Sequence, residues 1–358
     1  MEQQKNALEL LDLMIQPGFC VQDGIIQKAN LPAQGMLLCP GTPVSQLIAV
    51  GHEEYQNFSE GCLYLTLTVS GILLDASVTR VGCFDIFLME QDADHRELQA
   101  MALAARELRK PLASIMTTAS QLFPMEALSD DPVLREQVTR MNRGLYQMLR
   151  VIGNMSDTSR YISSRPQKEV LDICAFLKEL FEKAQDLVAH AGLSLRYESL
   201  SQSIVTLADR EKLERAVLNI ISNAVKFTPA GGTVDARLTR TGNRLYLSIQ
   251  DSGSGIPDGI RGTIHNRYLR HPGLEDSRFG IGLGMVLIRS TAASHGGTVL
   301  IDHPDGAGTR VTMTMEIRND TSGNLRSPQL RIDYAGEQDH GLIELSDVLP
   351  ADLYLTDK

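Results

Sequence analysis

The chain has 358 residues, with 43% hydrophobic and 22% charged; that length suggests two or three domains and a core that needs no disulfides or structural metals. Its net charge of −10 argues against a surface built to bind nucleic-acid phosphates or a polybasic membrane contact. No apolar run approaches the ~18 residues of a membrane-spanning helix. The segment from Met1 to Gln16 has no basic n-region, so the expectation is a soluble cytoplasmic protein with no membrane span and no nucleic-acid partner. The five cysteines, Cys20, Cys39, Cys62, Cys83 and Cys174, are odd in number and form no Cys-x-x-Cys pair. They read as reduced thiols; a redox or metal sensor made from the first four would need the fold to gather them.

Residues 1–91 read as a small α/β domain. A short amphipathic helix (Leu8, Leu11, Ile15) precedes Phe19–Val21, and Asp23-Gly24 turns the chain into Ile25–Gln27. Residues 62–69, 72–79 and 82–88 alternate or run apolar around Ser70-Gly71, as in an antiparallel meander. The run Val21-Gln22-Asp23-Gly24-Ile25-Ile26, followed by Ala29-Asn30, resembles a PAS-type sensor domain.

Residues 92–162 change character. Leu98, Met101, Ala105, Leu108, Leu112, Ile115, Ala119 and Leu122 follow a 3-4 spacing, as do Leu134, Val138, Met141, Leu145, Met148, Ile152 and Met155. Each series is a heptad seam on a helix, and Pro124 with Ser129-Asp130-Asp131-Pro132 separates them. Two helices leave much of such a stripe uncovered, so a homodimeric four-helix bundle is expected, with Leu112 and Leu145 as positions where a charge would disrupt it. Ser163-Ser164-Arg165-Pro166 reads as a linker. Residues 170–318 alternate strands and helices, an α/β sandwich with helices on one face of a mixed sheet. The segment 319–358, which holds Leu342-Ile343-Glu344-Leu345, carries no assignment. The fold class is thus multidomain α+β.

Three motifs in the 170–318 domain point to a nucleotide. Asn219, Asn223 and Lys226 sit at i, i+4 and i+7 of one helix face; an amide oxygen suits Mg²⁺ and a lysine suits phosphate. Asp251-Ser252-Gly253-Ser254-Gly255 follows a strand. A carboxylate there can accept from the exocyclic amine of adenine, and glycines let the backbone turn beside the base. Gly280, Gly282 and Gly284 precede a helix, and glycine-spaced amides at a helix start attract anions. In order and spacing the three resemble the N, G1 and G2 boxes of the histidine-kinase ATPase (GHKL) family. The match continues through His295-Gly296-Gly297 and Gly306-x-Gly308-Thr309 and covers roughly 204–317.

The resemblance implies ATP and Mg²⁺ as ligands and a mobile lid between Asp258 and Arg278. It places Asp251 on adenine, Asn223 on Mg²⁺ and the Gly280–Gly284 loop over the phosphates. The lid's usual Phe-x-x-Phe box is His265-Asn266-Arg267-Tyr268 here. Relatives that hydrolyse ATP carry a glutamate where Asn219 stands, and an amide is no general base, so fast hydrolysis is disfavoured.

Arg106-Glu107-Leu108-Arg109-Lys110-Pro111-Leu112 resembles the phosphoacceptor motif His-Glu-Leu-Arg-Thr-Pro-Leu of two-component sensor histidine kinases, with Arg106 at the histidine and Lys110 at the threonine. Guanidinium stays protonated and offers no lone pair, so Glu107 has no imidazole to orient. His95, the only histidine on this arm, lies 11 residues earlier, roughly 16 Å along a helix. The leading expectation is a sensor-kinase-like dimer that binds ATP, cannot autophosphorylate in the usual way, and signals to a response regulator or another histidine kinase. The alternatives are a kinase using a non-standard acceptor or acting in trans, and a slow ATPase whose bundle is a scaffold.

Overall fold

The computed structural model describes residues 11–89, 92–124, 128, 131–163, 167–255, 283–304, 308–318 and 339–355. The lid 258–278, Gly280, Gly282 and residues 265–268 lie outside them, as does Leu8. Ile15, expected on an apolar helix face, is 83% exposed, whereas Leu11 is buried.

The first part of the chain forms strands β1 (Gly18–Gln22), β2 (Ile25–Ala29), β3 (Ile48–Val50), β4 (Cys62–Val69), β5 (Ile72–Val81) and β6 (Phe84–Met89). The pairing is antiparallel in the order β2-β1-β6-β5-β4, with β3 on β4. Asp23 (φ 51°) with Gly24 (φ 76°), and Ser70 (φ 51°) with Gly71 (φ 80°), make two-residue hairpin turns. Two successive left-handed residues match the twist of the strands they join.

Helices α1 (Asp92–Leu122) and α2 (Pro132–Ser163) then form the hairpin, with Pro111 inside α1. Asp131 starts α2 by accepting at Oδ1 from the amides of Val133 and Leu134, both at 3.0 Å. One line of each heptad seam is buried within the single chain: Ala105, Leu112 and Ala119 on α1; Val138, Leu145 and Ile152 on α2. The other line, Leu108, Ile115, Leu122, Met141 and Met148, is exposed. A charge at Leu112 or Leu145 would therefore damage the chain's own core, and the positions open to a second copy are those of the exposed line.

The remaining elements are β7 (Glu169–Asp172), α3 (Ile173–His190), β8 (Ser194–Ser199), β9 (Val205–Ala208), α4 (Arg210–Phe227), β10 (Thr233–Thr241), β11 (Arg244–Asp251), α5 (Leu283–Ser294), β12 (Val299–Asp302) and β13 (Arg310–Glu316). Strands β12-β13-β11-β10-β8 make one sheet, with β8 parallel to β10, and β7 pairs with β9 apart from it. The side chains of Asp172 and Asp209 cap α3 and α4.

The two sheets are continuous, which the sequence did not foretell. Strand β12 pairs antiparallel with β4, placing Val299, Leu300 and Ile301 opposite Tyr64, Leu63 and Cys62. Gly61 (φ +90°) permits the approach, since a Cβ there would sit 2.2 Å from the Ile301 carbonyl oxygen. An Arg244–Glu54 ion pair at 2.5 Å and the Arg289 guanidinium 4.7 Å over the Tyr64 ring flank the junction. Cys62 is buried here, and burial pushes its thiol up to about 12; Cys20 is buried too and rises to about 11. Both remain protonated and unreactive.

The C-terminal segment is ordered against this body. Helix α6 (His340–Glu344) and the turn Ala351–Tyr354 insert Ile343, Leu345, Leu349 and Tyr354, none more than 1% exposed, into the core shared by α2, α3 and α4.

His295, just past α5, is 2% exposed. Its Nε2 accepts from the Asp209 amide at 2.9 Å and its Nδ1 donates to the Thr291 carbonyl at 2.7 Å. Both contacts are those of a neutral ring, and burial lowers its pKa from 6.5 to about 4. The unfolded chain takes up this proton from about pH 6.5 downward and the folded chain only near 4, so stability falls across that window. His295→Gln, which carries both a donor and an acceptor, is expected to remove about 3 kcal/mol of acid-induced loss between those pH values. Urea melts of both proteins at a series of pH values measure it.

Candidate nucleotide site

Helix α4 is the element on which the site is built. It is amphipathic in an unusual way: Lys212, Arg215, Asn219 and Ser222 are buried along with its apolar residues, because elements cover it on several sides. Asn219 is 1% exposed. Its Nδ2 donates to the Arg215 carbonyl at 2.9 Å and to Glu344 Oε2 at 3.1 Å. Its Oδ1 faces Gly284, where an added Cβ would come within 2.8 Å. Asn223 and Lys226 are half-buried one and two turns further on, and the Lys226 ammonium lies 5.8 Å from the Phe227 ring centroid.

Asp251 ends β11 and is 7% exposed. Its Oδ1 accepts from the amides of Gly253 at 2.8 Å and Thr309 at 3.2 Å. Burial raises its pKa above the ordinary aspartate value, and the two amide donors oppose that rise. Both bonds fall on the same oxygen, which fixes the carboxylate plane.

Glycine is required around it for space. A Cβ on Gly253 would lie 2.4 Å from the Phe227 carbonyl oxygen, so this turn rests on the end of α4. Gly255 (φ +72°) is packed on His303, and a Cβ on Gly308 (φ +71°) would lie 1.8 Å from the Asp251 carbonyl oxygen.

The structure thus brings together Asn219 with Gly284, the end of α4 with Gly253, Asp251 with Gly308 and Thr309, and Gly255 with His303 and Gly308. A buried, oriented carboxylate beside a glycine cradle fits an adenine amine, and the half-buried Asn223 amide and Lys226 ammonium on one helix face fit Mg²⁺ and phosphate. Arg106 and Glu107 are exposed on α1.

Sequence reasoning missed three residues. Glu344 reaches Asn219 from the unassigned tail, and Arg215 and Arg150 gather on the same carboxylate. The one available signal was Arg215 among Leu213, Ala216 and Val217 on a buried helix. Glu344 brings a carboxylate to Asn219, and its two oxygens accept from Arg215 and Asn219.

Residues 208–319 match the family of histidine kinase-, DNA gyrase B- and HSP90-like ATPases. The adaptive-response sensory kinase SasA of Synechocystis sp. is 27% identical over 249 residues, covering 65% of this chain and 64% of that protein. The histidine protein kinase DivJ of Caulobacter vibrioides is 29% identical over 261 residues, 69% of this chain and 42% of that one. A histidine kinase of Formosa agariphila is 26% identical over 261 residues, 71% of this chain and 19% of its own length. The chain therefore spans less than two thirds of each of these relatives. The structure of full-length ShkA in complex with AMPPNP superposes with a TM-score of 0.51 at 23% identity, over 62% of this chain and 46% of that one, a likeness of fold. The chain carries a histidine-kinase-like ATPase domain within a multidomain α+β architecture and resembles two-component sensor histidine kinases. Among the described residues no helix is long and apolar enough to cross a membrane.

The glycine cradle yields a direct test. Gly308→Ala forces a side chain against the Asp251 carbonyl at a left-handed φ, so it is expected to cost about 1–3 kcal/mol. Thermal unfolding measures the loss.

Proposed function

We propose that this histidine-kinase-like ATPase domain binds Mg-ATP and that the chain uses it as a signalling protein without phosphorylating its own helical hairpin. The observation that carries the nucleotide part is the Asp251 carboxylate, buried and oriented by two amides among glycines that leave no room for a Cβ. In this reading Asp251 Oδ2 accepts from the adenine amine. Asn223 holds Mg²⁺ through its amide oxygen, and Asn219 and Lys226 flank it on the phosphate side. Gly253 and Gly255 make room for the base, and the resemblance assigns Gly280, Gly282 and Gly284 to the phosphates. Bound Mg-ATP would supply a transferable phosphoryl group. ShkA, whose structure holds AMPPNP, supports an ATP-type ligand.

The hairpin part rests on Arg106. Its guanidinium has no lone pair to attack phosphorus, and Glu107 beside it has no imidazole to orient. Lys110 replaces the threonine of the resembled motif. The chain therefore acts by conformation: a PAS-like sensor at 1–91, a hairpin at 92–162 and a nucleotide domain at 170–318, with a response regulator or another histidine kinase as the partner that reads its state in the cytoplasm. The exposed line Leu108, Ile115, Leu122, Met141 and Met148 supports a homodimeric four-helix bundle, since such a stripe is covered in a stable protein.

Calorimetry with Mg-ATP tests the site. Asp251→Ala and Asn223→Ala are each expected to lose about 1–3 kcal/mol of binding, roughly 5- to 150-fold; undiminished binding by both would refute the assignment. Light scattering tests the assembly. Wild type is expected at twice the chain mass at micromolar concentration, and Ile115→Glu combined with Met148→Glu at the chain mass with its helical circular dichroism retained.

A further inference from the structure

Glu344 belongs to a segment that no motif claims, yet it is 0% exposed and lies where two bodies meet. Its Oε1 accepts from Arg215 Nε at 3.1 Å, and its Oε2 accepts from Asn219 Nδ2 at 3.1 Å and lies 3.5 Å from Arg150 Nε. Arg215 and Asn219 are on α4, which carries the nucleotide residues, while Arg150 is on hairpin helix α2. Arg150 also donates to Ser222 Oγ at 3.1 Å and pairs with Asp347, and Arg215 donates to Asn154 Oδ1 on α2 at 2.7 Å. One carboxylate from the tail thus ties hairpin to nucleotide helix, with the apolar residues of 339–355 filling the seam behind it.

Asn219 links the tail to the start of α5. Its amide has two ends: Nδ2 is held by the tail, and Oδ1 faces Gly284 at the start of α5. A change at either end is felt at the other through one rigid planar group. Separating a buried carboxylate from its guanidinium partners leaves an uncompensated charge, so partly docked arrangements of the segment are disfavoured.

We propose that residues 339–355 are an intramolecular strap whose docking is thermodynamically coupled to nucleotide binding, with Glu344 the positioning residue that orients Asn219. The inference deepens the nucleotide reading and rests on it. By linkage, a nucleotide that favours the oriented Asn219 favours the docked strap by the same factor.

Hydrogen exchange on the full chain reads the docked state. The amides of Ile343, Leu345 and Leu349 donate within the strap to Asp339, Gly341 and Leu345 carbonyls at 3.1, 2.9 and 3.0 Å. With Mg²⁺ and a non-hydrolysable ATP analogue, their exchange is expected to slow about fivefold, the lower end of ordinary coupling. Glu344→Gln keeps the acceptor for Arg215 but sets an NH₂ against the Asn219 NH₂. It is expected to weaken binding of the analogue about fivefold and to abolish the slowing. If wild type binds the analogue and these amides exchange at an unchanged rate, the coupling is refuted, however Glu344→Gln folds. A folded Glu344→Gln protein that retains full affinity and slowing refutes the role of Glu344. Failure of wild type to bind the analogue at all overturns the nucleotide reading itself, and the strap proposal with it.

Discussion

A guanidinium buried in the middle of a protein must be met by an opposite charge, and Arg215 imposes that constraint here. It is 0% exposed on the helix that also carries Asn219 and Asn223. The matching carboxylate, Glu344, comes from 129 residues downstream. Removing one partner from such a pair leaves a charge in a low-dielectric interior, which costs several kcal/mol. Burial of the Arg215 charge on α4, where the hairpin packs, is therefore stabilised by the C-terminal segment.

The second organising feature is the shared ladder between β4 and β12. An edge strand presents unpaired amides and carbonyls to any partner, and in this chain the two sheets cover each other's edges. Gly61, Glu54 and Arg244 adapt the junction. Strand β12 pairs with β13 and β13 with β11, which ends at Asp251, so the first domain is joined by continuous backbone pairing to the candidate nucleotide site.

Much of this was legible in the sequence, for physical reasons. Asp23-Gly24 and Ser70-Gly71 marked turns because only left-handed backbone closes them, and the heptad seams marked helices because their period is local. Gly253, Gly255, Gly284 and Gly308 stand where the space left is too small for a Cβ. What was not legible depended on distant pairings. Nothing in Cys62-Leu63-Tyr64 says that its partner is Val299–Ile301. Leu112 and Leu145 look equivalent to Ile115 and Met148 in a heptad, and only packing decides which line faces inward. Glu344 sits in a short polar and apolar mixture whose role appears only once Arg215 is known to be buried.

In the proposed reading Arg106 is decisive: the hairpin has the seams, Pro111 and Glu107 of the phosphoacceptor motif it resembles, with a guanidinium where that motif has histidine. Incubating the wild-type chain with γ-labelled ATP, then scoring protein-bound label and released phosphate together, tests this most directly. The account predicts no acid-labile label on residues 92–162 and little phosphate release by a protein that binds ATP. Label on the wild-type hairpin, at His95 or elsewhere, would contradict it.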